Sequence, residues 1–388
     1  MPIRKLAIAI ATLTASFSIY AADGFVPLFN GKNLDGWTNV NCASETWSVK
    51  GDRIYCTGKP IGELRTTRMY ENFVLELEWR HLKSGGNAGV FAWAGPIGAP
   101  GVPFLRAVEV QVLDHGYVRD SLNKSYTTHG DVFPIHGSRM DPFPPSRGSR
   151  SFPSERHGKG SPDWNHYRIE CNDGTLWLWV NGHKVSGGEN CSWRKGYIAL
   201  ESEGSPVEFR NLRIKELPST KPAPEEVAPE YEGHVTLYSG VDLRGWNPKT
   251  DRWSSADWQL SYRGGTGADT MWSVPRFGNF ELIVDCAPRS RTPIAGGITL
   301  RELKGEPLIP FSLLAEGGDV PAKVLKGGNR GYHRFKIWMR DRMLTVHLNG
   351  VRVLVKELPK SVAKEGRIGI VGGKNDFMLA NLYQRPLN

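Results

Sequence analysis

The sequence predicts an all-β protein built as two β-sandwiches in tandem. Three observations carry that expectation. Apolar residues alternate with polar ones over many short runs, a series of segments recurs in the same order along the chain, and no stretch of useful length keeps a helical period. In NFVLELEW, Phe73, Leu75, Leu77 and Trp79 share one face and Val74, Glu76 and Glu78 the other. In HYRIECN, Tyr167, Ile169 and Cys171 alternate with His166, Arg168 and Glu170. LWLWVNGHKV reads as strand, Asn-Gly turn, strand.

The recurrence sets the domain organisation. LFNGKNLDGW (28–37) returns as LYSGVDLRGW (237–246), and ENFVLELEWR (71–80) as GNFELIVDCA (278–287). WNHYRIECNDGTLWLWVNGHKV (164–185) returns as YHRFKIWMRDRMLTVHLNGVRV (332–353), and GYIALESEGSPVEFRNLRIKEL (196–217) as GRIGIVGGKNDFMLANLYQRPL (366–387). Four modest matches in one order indicate two copies of one fold, over 23–217 and 234–388. The Pro/Glu-rich segment 218–233 links them. The first pair of matches is separated by 209 residues and the Asn-Gly turns by 168, so the second copy lacks 41 residues of the middle. Those residues lie between about Gly89 and Asp163 and hold four of the ten histidines. A long loop inside a compact domain is commonly a binding loop, which places function in the first copy.

A length of 388 residues suits two domains that bury their own cores. Arg4 and Lys5, the apolar stretch to Tyr20 and the small residues Ala21 and Ala22 read as an export signal over 1–22. The protein is then expected in the periplasm or outside the cell, with no stable membrane insertion after cleavage. Export permits disulfides. Cys42 with Cys56 and Cys171 with Cys191 could each close a hairpin, leaving Cys286 over. The net charge of +9 is spread without like-charge runs, which argues against nucleic acid as a partner. No P-loop, no GxGxxG opening a helix and no GxSxG elbow occurs, which argues against nucleotide chemistry and the commonest serine-hydrolase route.

Several residues could carry chemistry. In AVEVQVLDHG (107–116), Glu109 and Gln111 project from one face of a strand while Val108, Val110 and Val112 take the other. A carboxylate beside an amide can hold sugar hydroxyls or move a proton. The loop THGDVFPIHG offers His129, Asp131 and His136, which by type suit a divalent metal or acid/base work, although their spacing fits no standard zinc pattern. Glu155 and Arg156 could pair or hold a ligand. Trp177 and Trp179 point away from the aliphatic side of their strand and offer flat faces to a pyranose ring. Asn87 sits in GGNAGVF, where small residues let a ligand approach the backbone.

LFNGKNLDGW, GNAGVFAW, VEVQVLDHG, HGDVFPIHG, PSERHGKGSPDWNHYRI and LESEGSPVEFRNLRIKEL together resemble the 3-keto-disaccharide hydrolase domain family, from about Phe25 to Leu217. The second copy has no counterpart of VEVQVLDHG or HGDVFPIHG. The resemblance implies concanavalin-like jelly-roll β-sandwiches and a glycoside substrate oxidised to a ketone at carbon 3. It also implies functional pairing with a sugar 3-dehydrogenase. On this reading Glu109 or His136 is the base. Gln111, Asn87 and Arg156 hold hydroxyls or the enolate, and Asp131 and His129 orient a histidine or bind a metal. Arg106, Asp114, His115, Glu155, Trp164, Trp177 and Trp179 complete the expected sugar contacts. The competing readings are a non-catalytic carbohydrate-binding protein, an ordinary glucanase and a structural surface protein. Gln111 at the middle of EVQVLD speaks against a glucanase with paired carboxylates on one strand.

Overall fold

A computed structural model describes residues 23–119, 129–267, 269–289, 295–303, 305–315 and 320–388. The expected leader over 1–22 lies outside the described residues. Within them regular structure is almost entirely antiparallel strand, and Ala322–Leu325 is the one α-helical turn.

The first sandwich has two sheets. Its back sheet runs Arg139–Pro142, His183–Ser192, Thr175–Val180, Asn165–Asn172, Phe73–His81, Val207–Glu216, Arg53–Cys56 and Trp47–Lys50. Its front sheet runs Ser146–Arg147, Arg150–Ser151, Val132–Ile135, Ala107–Leu113, Asn87–Ala94, Tyr197–Ser202, Gly62–Thr66 and Trp37–Val40. The two-residue period decides what fills the space between them. Phe73, Leu75, Leu77 and Trp79 of the back sheet meet Val108, Val110 and Val112 of the front sheet in one buried core. Each such side chain contributes roughly 1.5–3 kcal/mol on burial.

Residues 89–163 prove to be more than a loop. Ala107–Leu113, Val132–Ile135, Ser146–Arg147 and Arg150–Ser151 widen the front sheet, and Arg139–Pro142 extends the back sheet. VFPI supplies the apolar residues such a strand needs, with Val132 in the core.

The second half repeats the strand order. Its larger sheet runs Trp253–Ala256, Gln259–Tyr262, Phe377–Pro386, Phe280–Pro288, His333–Arg340, Met343–Leu348 and Val351–Glu357. Its smaller sheet runs Trp246–Asn247, Asp269–Ser273, Ile368–Gly372, Gly297–Leu300 and Ile309–Pro310. The place of Ala107–Leu113 is thus taken by a two-residue strand. All five cysteines are buried free thiols. The expected pairs Cys42–Cys56 and Cys171–Cys191 are therefore not bonded. Cys42 Sγ instead accepts from Trp47 Nε1 at 3.4 Å and Cys56 Sγ from the Gly58 N–H at 3.3 Å.

The outer face of the front sheet packs on the larger sheet of the second half. Phe91, Leu105, Ala107, Tyr197 and Ala199 form a cluster with Ile283 and Tyr383. Beside it lies Asp285, with no solvent exposure. Its carboxylate accepts from Arg334 Nε at 2.7 Å, Arg334 Nη2 at 2.9 Å, Asn381 Nδ2 at 2.7 Å and the Gly101 N–H at 2.8 Å. Arg334 Nη2 also donates to the Gly98 carbonyl at 2.8 Å, and Asn41 Nδ2 to Asn381 Oδ1 at 2.8 Å. The turn between Asn87–Ala94 and Ala107–Leu113 is thereby held by a buried ion pair of the other sandwich.

Removing one partner of a buried pair strands the other charge. Asp285→Ala is expected to lower unfolding stability by about 3–5 kcal/mol, read from tryptophan fluorescence in a urea titration. A loss within about 1 kcal/mol, as for an exposed pair, would show that water reaches Arg334.

Candidate functional site

The outer face of the front sheet is apolar where the second half covers it and acidic beyond. Registers fix which side chains meet. Phe91 lies opposite Glu109 and Glu109 opposite Phe133. Glu63 lies opposite Glu201, and Gly89 opposite Gln111. Glu63, Glu109 and Glu201 are buried and Glu203, just past the Tyr197–Ser202 strand, is half-buried. Two of the carboxylates, Glu201 and Glu109, meet over Gly89. A Cβ there would lie 2.9 Å from Glu201 Oε2 and 3.1 Å from Glu109 Oε1, so only glycine leaves both in place.

An amide chain ties the group together. Gln111 Nε2 donates to Asn87 Oδ1 at 2.7 Å, and Asn87 Nδ2 donates to Glu203 Oε2. Gln111 Oε1 and Glu201 Oε2 are buried and have no hydrogen-bond partner. Buried acceptors without donors are costly, and both suit the hydroxyls of a bound molecule. On the far side of Glu109, Arg150 Nη1 donates to Asp131 Oδ2 at 2.9 Å, and its guanidinium lies 3.4 Å from the Phe133 ring centre.

Burial disfavours the charged form of every member. Burial first, then Glu203 beside it, pushes Glu109 well above the usual carboxylate range, against the pull of Arg150. Glu201 is raised by burial and then by Glu203 and Glu109, and Glu63 by burial chiefly. Glu203 is raised by burial to about 7, the Asn87 amide opposing the rise. Such a cluster holds protons at neutral pH and can both give and take them.

The sequence-expected residues divide between this site and three other places. Glu109, Gln111, Asn87 and Asp131 are at the carboxylate cluster. His136 is not. It lies at the end of its strand, stacked on Phe104 with ring centres 5.5 Å apart, and burial then Arg330 lower it to about 4. It stands three residues past Phe133, the register partner of Glu109, or roughly 10 Å along the strand. His136 and Glu109 are therefore not alternatives for one role.

His129 lies near Trp79 and His115, whose ring centres are 6.0 and 4.9 Å away. Burial, then His115, lowers it to about 4, with the Leu113 backbone opposing the fall. Asp114 accepts the N–H groups of Gly85, Gly116 and Ser161 at 2.7, 2.8 and 2.6 Å, and His115 Nε2 lies 3.2 Å from the Gly158 carbonyl. Asp114 and His115 thus fasten turns at the sheet end. His129, Asp131 and His136 have three different surroundings and do not gather as a metal set.

Arg106 covers Trp193 at 3.8 Å, and Glu155 pairs with His157 at 2.7 Å beside an exposed Arg156. Trp164, Trp177 and Trp179 belong to the back sheet's outer face, on the opposite side of the sandwich. Phe143 stacks on Trp177 with centres 4.1 Å apart and Lys184 lies 3.4 Å from it, while Arg210 covers Trp164 at 4.0 Å. Trp177 and Trp164 are thus taken by neighbours rather than presented to a sugar.

Sequence reasoning missed Glu63, Glu201, Glu203 and Arg150. The signal for two of them lay in the internal matches: Glu201 and Glu203 align with Val371 and Gly373 of the second half. The structure makes the same comparison, since Glu63 pairs with Glu201 where Thr270 pairs with Val371.

Residues 24–215 match the family described as the 3-keto-alpha-glucoside-1,2-lyase-like domain. A 3-keto-disaccharide hydrolase of Bacteroides thetaiotaomicron is 24% identical over 234 residues, covering 50% of this chain and 79% of that protein. Among solved structures, a glycosyl hydrolase candidate of Parabacteroides distasonis is 21% identical, over 51% of this chain and 95% of that one, with a TM-score of 0.40. A carbohydrate-binding module of Bacillus subtilis is 12% identical, over 47% and 96%, with a TM-score of 0.33.

The raised Glu203 has a consequence for stability. A carboxyl bound more tightly to its proton when folded stabilises fully below its unfolded value of about 4.3. That contribution is lost as pH rises through about 7. Between pH 5 and pH 8 the wild type should lose more melting temperature than Glu203→Gln. Parallel melting curves would show that Glu203 is solvated.

Proposed function

We propose that the first sandwich, a domain of this family, cleaves glycosides bearing a ketone at carbon 3, with Glu109 as its acid and Glu203 as its base. One observation carries the reading. Glu109, Glu201 and Glu203 converge with raised pKa values beside unsatisfied acceptors, and the second half has no carboxylate at the positions of Glu201 and Glu203.

A ketone at carbon 3 acidifies the hydrogen on carbon 2. Glu203, near 7 and oriented by Asn87, takes that proton as the C2–H bond breaks. The electron pair becomes an enolate, with Arg150 as the positive charge beside Glu109. The enolate re-forms the ketone and expels the substituent on carbon 1, whose oxygen takes the proton held by Glu109. Water then adds across the new C1–C2 double bond: its oxygen joins carbon 1 as Glu109 takes one of its protons, and Glu203 returns its proton to carbon 2, so both acids are restored and the sum is hydrolysis. Gln111 Oε1 and Glu201 Oε2 accept sugar hydroxyls. No step runs through a metal. The substrate's ketone requires an oxidoreductase acting at carbon 3, a sugar 3-dehydrogenase. The leader-like residues 1–22 support a setting in the periplasm or outside the cell.

Incubation of the purified chain with a 3-keto-glucoside, following aglycone release, tests the reading. Glu109→Gln and Glu203→Gln should each lower kcat/KM by about 10²-fold or more. Gly89→Ala should lower it by displacing Glu109 and Glu201. Trp179→Ala, on the opposite face, should retain activity within about twofold, a difference under RT. Full activity in both glutamine variants would remove the site from this cluster. Sugar binding without release would favour a carbohydrate-binding protein instead.

A further inference from the structure

Where the chain enters the second sandwich, three residues with ligand atoms meet outside the site described above. Glu232, His234 and Glu281 each bring one such atom within 4.8 Å of the others, and no other such group of three occurs among the described residues. His234 is 8% exposed and Glu281 2%. His234 Nε2 is buried without a hydrogen bond, 3.5 Å from Glu281 Oε1. At 3.5 Å the imidazole nitrogen and the carboxylate oxygen form a long ion pair, and a cation bonded to both at about 2.0–2.2 Å fits the same spacing.

We propose that Glu232, His234 and Glu281 form a zinc site. The donor set is one imidazole nitrogen and two carboxylates, which suits zinc better than the all-oxygen cages of calcium or magnesium. Arg385 defines the geometry. Its Nε holds Glu281 Oε2 at 2.6 Å and its Nη2 holds Glu232 Oε2 at 3.1 Å, which leaves Glu281 Oε1 turned towards His234. Two carboxylates against one guanidinium leave a net negative charge for the ion. Glu232 is exposed on the connecting segment and can close the remaining distance to a bond length of about 2.0–2.2 Å, with water completing a tetrahedron.

The ion would act as a clasp. Glu281 lies on the strand that carries Ile283 and Asp285, at alternate positions on the face that meets the first sandwich. The same connecting segment places Tyr231 on Arg65 of the front sheet, 4.3 Å from its ring centre, and donates the Tyr231 N–H to Tyr197. Zinc would fasten this segment to the junction.

The test is calorimetric titration of the chelator-treated full chain with zinc chloride alone. One equivalent should bind, and His234→Ala and Glu281→Gln should weaken it at least tenfold. Glu232→Gln, at an exposed position that leaves the core untouched, should weaken it severalfold and keeps the test valid if a buried variant fails to fold. Zinc should also raise the melting temperature of the wild type and not of His234→Ala. No binding, or binding unchanged in Glu232→Gln and His234→Ala, overturns the proposal. No sugar enters the measurement, so its outcome is independent of the proposed hydrolysis.

Discussion

Water is kept from the acids on one face of one sheet, and the proposed chemistry depends on that exclusion. Glu63, Glu109, Glu201 and Glu203 would be unremarkable anions on a wet surface. Here three are buried and the fourth half-buried, and like charges face each other across neighbouring strands. Desolvation and mutual repulsion act in the same direction, so the cluster retains protons that exposed carboxyls lose. Gly89 makes the approach of Glu201 and Glu109 possible by withholding a side chain, and Arg150 opposes a repulsion to which Asp131 adds.

The exclusion is shared work between the two sandwiches. The first supplies the sheet and the acids. The second covers the apolar end of the same face with Ile283 and Tyr383 and grips the turn over residues 98–101 through Asp285, Arg334 and Asn381. That turn leads into Leu105, whose N–H donates to Glu63 Oε1 at 3.1 Å. A chain of contacts therefore joins the buried ion pair of one sandwich to the acid cluster of the other. The second half carries no carboxylates at the equivalent of Glu63 and Glu201, which fits a supporting part.

Much of the fold was legible because alternation reads directly as burial. Leu176, Leu178 and Val180 enter the core while Trp177 and Trp179 face out, as their positions on the strand require. The site was legible only along one strand at a time. Glu109 and Gln111 stood out because they break a run of valines. Glu201 and Glu203 were hidden in a segment valued for its match to the second copy, and the substitutions Val371 and Gly373 within that match went unused. The histidines misled by residue type. Their sequence proximity does not bring His129, Asp131 and His136 together, since an extended chain carries them along the sheet and beyond it.

The sequence by itself determined the strand class, the two recurring series of segments and the family resemblance of the first. These are local properties: a two-residue period, turn residues and ordered motifs survive without knowledge of what packs against what. Tertiary structure decided which acids become a cluster, which aromatics are taken by cations and rings, and which thiols stay free. Those outcomes depend on strand order and register between segments more than a hundred residues apart, as in Glu63 opposite Glu201. They also depend on which faces the packed sheets bury, and neither register nor solvent exclusion is a property of any single segment.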